Sequence, residues 1–221
     1  MGDLTTDRSQ AAVATLNFVG VFIIGGDTNN RRTSDFLAAG QMKWQEGAGL
    51  PFGMVHPCAV TITPNSFLAI YGKNIREFDA ATAGPTSFKG WRESARWPKL
   101  KTSRINWPGC AKLGQKVIIA GGSYNGRSSL SSTEVLDLDS REITAGGDMA
   151  TPRKWFHLAI IRRGGLEMVV AVGGEKSPWR GVNTVEEWVE KSSTWKAADN
   201  ITQKRSSFAA VTVPREFVCP A

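Results

Sequence analysis

The 221-residue sequence predicts an all-β chain assembled from one four-stranded unit used several times over. Three observations predict it. Short apolar runs ending in glycine recur at residues 21–26 (VFIIGG), 67–72 (FLAIYG), 117–122 (VIIAGG) and 168–174 (MVVAVGG), so the unit length is about fifty residues. Trp44, Trp91 and Trp195 follow their glycines by about twenty residues, and Ile143 holds the same place in the third unit. A basic residue opens a small-residue run ahead of the glycines at Arg8, Arg104, Arg153 and Arg205, while the second unit, from Phe52, has none.

Each unit resolves into four strands with turn residues between them. Strand one is the run after the arginine, and strand two is the apolar run into Gly-Gly. Strand three is clearest at 133–138 (TEVLDL) and 184–189 (TVEEWV), and weakest in the first unit, where only 35–38 carries it. Strand four carries the tryptophan and leads to a turn such as 149–153 (MATPR). Glycine suits the end of strand two because it tolerates positive φ and a close neighbouring backbone. A four-stranded sheet of this size cannot bury both faces alone, so units are expected to stack radially, with the rings filling the wider space between them.

These motifs resemble the kelch repeat, and the resemblance covers about residues 8–213. Units three and four carry it best, through VIIAGG with STEVLDL, then VAVGG with TVEEWV and Trp195. Unit two departs from the pattern: it has one glycine of the pair and an insert around 80–89. The resemblance implies a kelch-type β-propeller occupying residues 1–221 as a single domain. Its four complete blades would span about 8–51, 52–103, 104–152 and 153–204, with a partial fifth at 205–221. An incomplete ring would expose apolar edges and favour self-association.

Composition narrows the function. The hydrophobic fraction is 41%, enough for a sizeable core. The net charge of +7 is dispersed, without a basic run of five, which argues for solubility over nucleic-acid recognition. Cys58, Cys110 and Cys219 are odd in number and form no C-x-x-C, so neither a disulfide framework nor a zinc site is expected. A reducing, cytoplasmic setting follows as the expectation. Residues 11–25 read as two strands, because Thr15 and Asn17 interrupt the apolar run and no cationic segment precedes it. No stretch is long and apolar enough to span a membrane as a helix. Residues 1–6 fit a loose myristoylation pattern, and 200–202 (NIT) form a glycosylation sequon that matters only in a secreted chain.

The resemblance places binding on one rim, at the loops after strand two and between units. Those loops contain Asn29, Asn30, Arg31 and Arg32, then Ser123, Tyr124, Asn125 and Arg127, then Trp179 and Arg180. Arg104, Arg153 and Arg205 lie between units, where they serve either as ligand contacts or as donors to backbone carbonyls. Guanidinium groups suit carboxylates, and Tyr124 and Trp179 could anchor a peptide by stacking. The expected function is a protein-interaction module for an acidic peptide or protein segment. The family resemblance implies either substrate recognition for a ubiquitin ligase or cytoskeletal scaffolding. The rival reading is a sugar epimerase or lyase in the central funnel. His56, His157 and two tyrosines make no metal or catalytic set, and Glu186-Glu187 would point to opposite faces of a strand, so no catalytic residue and no cofactor is expected.

Overall fold

A computed structural model of the chain describes residues 3–26, 29, 31–82, 90–92, 96–177, 180–208 and 210. Among the described residues, four antiparallel sheets follow one another along the sequence. The first is β1 (Ala12–Leu16), β2 (Gly20–Ile24), β3 (Ser34–Ala38) and β4 (Gln45–Glu46), hydrogen-bonded in that order. The second is β5 (Cys58–Thr63), β6 (Ser66–Tyr71) and β7 (Asn74–Asp79), and a bridge from Phe78 to Trp91 stands where its fourth strand would be. The third is β8 (Gly109–Leu113), β9 (Lys116–Ala120), β10 (Thr133–Asp137) and β11 (Ile143–Gly146).

The fourth sheet is β12 (His157–Arg163), β13 (Leu166–Val172), β16 (Val185–Val189) and β17 (Thr194–Ala198). A small hairpin, β14 (Glu175–Lys176) and β15 (Arg180–Gly181), grows from its β13–β16 connection. A single 3-10 turn, Ala80–Thr82, opens the insert of the second unit, whose residues 83–89 lie outside the described residues. The expected continuation of the fifth unit beyond residue 210, with Cys219, also lies outside them.

The sheets stack through their first strands: β1 lies against β5, β5 against β8, and β8 against β12. The strands nearest one another are the small-residue runs, and the glycine pairs lie at the ends of the second strands. Alanine and glycine in the first strands (Ala12, Ala14, Gly109, Ala111) let neighbouring sheets approach closely there.

Three apolar layers fill the spaces between sheets. Phe22, Phe36, Phe67 and Phe78 form the first, with Phe67 and Phe78 stacked at 5.2 Å. Trp91 meets the edges of both rings, at 5.7 and 5.5 Å. Leu68, Ile70, Val117, Ile119 and Leu136 form the second layer, and Ile143 packs beside them in the tryptophan's place. The third joins Ile118, Leu158, Val169 and Trp188, with Trp195 at its margin, where its Nε1 donates to Thr133 Oγ1 of the preceding sheet at 2.9 Å. Burying each such large side chain contributes roughly 1.5–3 kcal/mol.

The glycine pairs have a specific task. The second glycine donates its N–H to the carbonyl of the residue opening the next unit: Gly72 to Arg104 at 2.8 Å, Gly122 to Arg153 at 2.9 Å and Gly174 to Arg205 at 2.7 Å. The first glycine passes so close to that linker that a Cβ on Gly121 would run into the Arg153 carbonyl oxygen. Gly121 also has a φ of 63°. Gly164, in the β12–β13 turn, shares a positive φ of 58° but has open space around it. Gly164→Ala is therefore expected to lose only the left-handed penalty, about 1–2 kcal/mol. Gly121→Ala should lose clearly more, and equilibrium denaturation of the two variants measures the difference.

Cys58 and Cys110 are joined by a disulfide, with their Cα atoms 6.1 Å apart. The sequence reading anticipated no disulfide. The bond ties β5 to β8, so it links two neighbouring first strands directly.

Candidate functional site

The site begins with the arginines that open the units. Arg153 Nη1 donates to the Gly173 carbonyl at 2.8 Å and the Thr184 carbonyl at 3.0 Å, while Nη2 reaches Glu186 Oε1 at 2.5 Å. Arg104 makes the same set to Gly121 (2.9 Å), Ser132 (2.8 Å) and Glu134 (3.2 Å). Arg8 repeats it with Gly25 (2.9 Å), Thr33 (3.0 Å) and Asp35 (2.5 Å). Each guanidinium thus locks the ends of strands two and three within its own sheet. Burial pulls the pKa of Arg104 and Arg153 down, and the partner glutamate in each case opposes that pull.

The acids are held as firmly. Glu134 accepts backbone N–H groups from Lys101 (2.7 Å) and Thr102 (3.1 Å), and Glu186 accepts them from Ala150 (2.6 Å) and Thr151 (3.1 Å). Glu187 faces the other way, 3.5 Å from Arg163 and 3.2 Å from Lys196. In the second unit, Met54 occupies the arginine's place and is fully buried. By register, Arg76 stands at the acid's place there, with its guanidinium over the Phe52 ring at 5.3 Å.

Arg104 and Arg153 are therefore not surface contacts: both are 0% exposed. Ser123 is also 0% exposed, held by paired backbone hydrogen bonds to Ile105 at 2.7 and 2.8 Å. These three leave the predicted ligand set because they are enclosed and engaged by the protein itself. Asn30 and Trp179 lie outside the described residues.

The remaining predicted residues are exposed: Asn29, Arg31, Arg32, Asn125, Arg127, Arg180, Arg205 and, at 57% exposure, Tyr124. Asn125 has a local duty, since its Oδ1 accepts the N–H groups of Arg127 and Ser128, both at 2.9 Å. That turn presents Arg127 outward. The β9–β10 loop is then tied to its own unit's opening linker and to the next unit. Asn106 Nδ2 donates to Gly126 O at 3.1 Å, and Lys154 Nζ donates to Gly126 O and Arg127 O at 3.3 and 3.1 Å. Ser129 Oγ donates to Glu175 O at 2.9 Å, and Ser177 Oγ to Arg127 O at 2.9 Å. Tyr124, Arg127 and the Arg180 hairpin consequently share one rim.

Inside that rim lies a feature the sequence reading missed. The residue two places after each unit-opening position has a left-handed backbone: Gln10 (φ 62°), His56 (55°), Asn106 (56°), Trp155 (51°) and Ser207 (55°). These residues join in a string. His56 Nε2 contacts Gln10 Oε1, and His56 Nδ1 lies 3.3 Å from Asn106 Oδ1. Trp155 N donates to Asn106 O at 3.4 Å, and Ser207 N to Trp155 O at 3.0 Å. A non-glycine residue in this region costs about 1–2 kcal/mol, and such strain gathers where function needs a fixed geometry. The signal available in the sequence was positional: five unlike residues, each two after an Arg or its Met54 equivalent.

His56 belongs to this string, and His157 begins β12. Burial lowers the pKa of both, with a hydrogen bond from His56 to the Asn106 side-chain oxygen partly opposing this at His56. The folded chain therefore holds both imidazoles neutral where the unfolded chain binds protons. Stability is complete above the unfolded value, about 6.5, and is lost as pH falls below it toward the folded values. Denaturation midpoints taken from neutral to mildly acidic pH should show this decline, and His157→Gln should make it shallower.

Comparison with known proteins agrees with this geometry in part. No family model matches the chain. A segment of 116 residues, 52% of the chain, is 29% identical to the kelch repeat-containing protein kel-10 of Caenorhabditis elegans. Over that segment the chain is similar to a kelch-repeat protein. The matched segment covers 20% of that much longer relative. The all-β architecture, with its successive antiparallel sheets, is consistent with kelch-like blades. No helix among the described residues is long and apolar enough to cross a membrane.

Proposed function

We propose that this chain is a β-propeller interaction module that binds an acidic peptide or protein segment on its arginine-bearing rim. The observation that carries the reading is the clustering of exposed Tyr124, Arg127 and the Arg180 hairpin around the left-handed string from Gln10 to Ser207. Exposed guanidinium groups supply charge and forked donors for carboxylates, and Tyr124 supplies a flat apolar surface. Arg31 and Arg32 extend the basic rim on the first sheet, and Arg205 on the fifth linker. The kelch-repeat relative supports a protein ligand. Recognition of a partner segment or attachment to a larger assembly would both use such a face.

An epimerase or lyase in the funnel is less well supported, because the acids beside the linkers are already engaged. Asp35, Glu134 and Glu186 each meet a guanidinium, and Glu134 and Glu186 also accept two backbone amides apiece. We also propose that further sheet structure or a second copy covers β1, where Val13 is 56% exposed.

The test is a peptide array of aspartate- and glutamate-rich sequences probed with the unaltered chain and with Arg31→Ala/Arg127→Ala/Arg180→Ala. The triple variant should lose roughly tenfold to a hundredfold in affinity, and binding of the unaltered chain should weaken as salt rises. Equal binding by both proteins, or binding indifferent to salt, would overturn the site.

A further inference from the structure

We propose that this chain matures in an oxidising compartment, where Cys58 and Cys110 are joined and Asn200 accepts an N-linked glycan. Two independent features point there. The first is the disulfide itself, which bridges the first strands of adjacent sheets across 52 residues of sequence. Disulfides of this structural kind persist in secretory and extracellular settings and are rare where thiols are kept reduced. The second is the sequon Asn200-Ile201-Thr202, which is the single N-x-S/T sequence in the chain.

The fold displays that sequon. β17 ends at Ala198, and residues 199–201 continue without regular structure toward the Arg205 linker. Asn200 and Thr202 are both exposed, whereas Ile201 between them is half-buried and its N–H is anchored on Asn183 O at 3.0 Å. The segment is therefore fixed by its middle residue while both recognition side chains project outward. Among the described residues, the Asn200 amide has no hydrogen-bond partner to surrender, so a glycan there displaces nothing.

The chemistry balances without help from this protein. The two thiols lose two electrons and two protons to a protein disulfide of the compartment, which is reduced to its dithiol. In the transfer step, the Asn200 amide nitrogen bonds to the anomeric carbon of a polyprenyl-diphosphate-linked oligosaccharide. The carbon–oxygen bond to the diphosphate breaks, polyprenyl diphosphate leaves with the bonding pair, and the amide proton passes to a base on the transferase.

The test routes the full chain through the secretory pathway of eukaryotic cells behind a cleavable leader, and makes it in the cytosol in parallel. The secretory product should lose mass on treatment with peptide-N-glycosidase, with Asn200 converted to aspartate. Asn200→Gln and Thr202→Ala should abolish that loss, and Thr202→Ser should keep it. A non-reducing peptide map should contain the Cys58–Cys110 cross-link. The idea is overturned if the folded secretory product carries an unmodified Asn200 or free thiols at both cysteines. It is equally overturned if the cytosolic product, with both cysteines reduced, reaches the same thermal midpoint.

Discussion

Arg153→Met is expected to lower unfolding stability by roughly 3–5 kcal/mol. The side chain is fully enclosed, and it satisfies three carbonyls, a hydroxyl and a carboxylate at once. Methionine fills part of the volume, as Met54 does in the second unit. It leaves Glu186 buried without its counter-charge, and that is the dominant loss. Breaking one partner of a buried pair costs far more than removing the pair. The double variant Arg153→Met/Glu186→Gln should therefore be more stable than Arg153→Met alone, because glutamine is neutral and its single carbonyl oxygen can still accept from one of the Ala150 and Thr151 amides. Chemical denaturation of the three proteins decides the matter. A double variant weaker than the single would show that lost hydrogen bonds, and not the stranded charge, govern the result.

Replacing both half-cystines, Cys58→Ser/Cys110→Ser, is expected to lower stability by about 2–4 kcal/mol. The bond closes a loop of 52 residues, which includes all of β6 and β7, so its loss releases a large ensemble of unfolded chains. Part of the effect falls on the native state, since the bond ties β5 to β8 where the second and third sheets meet. The unaltered protein under reducing conditions should unfold at the same denaturant concentration as the double variant. Equal midpoints for the oxidised protein and the double variant would show that the bond contributes nothing to folding.

The repeated units were legible because their signals are backbone demands. Positive φ at Gly121 and Gly122, beside the Arg153 carbonyl, admits few residues, so glycine recurs and its period can be read. Ile143 in place of a tryptophan was legible for a similar reason: the space between sheets fixes an apolar residue there. The unit-opening arginines were legible in position and ambiguous in role. Their targets are mostly carbonyl groups, Gly173 and Thr184 for Arg153, which leave no trace in side-chain identity.

The disulfide was hidden because three cysteines, odd in number and without a C-x-x-C, spell out no pairing. Cys58 and Cys110 are one unit apart, which places both on adjacent first strands. The left-handed string was hidden most completely, since Gln10, His56, Asn106, Trp155 and Ser207 share a dihedral angle and no chemistry.

A conformation that glutamine, histidine, asparagine, tryptophan and serine all adopt is imposed by the frame around it, through the hydrogen bonds of the neighbouring linkers. The frame is thus a socket board, and the side chains that join it through backbone groups alone, Trp155 and Ser207, are interchangeable plugs. New ligand preferences can arise by swapping plugs one at a time, each swap altering the chemistry offered to a partner while the wiring beneath stays as it is.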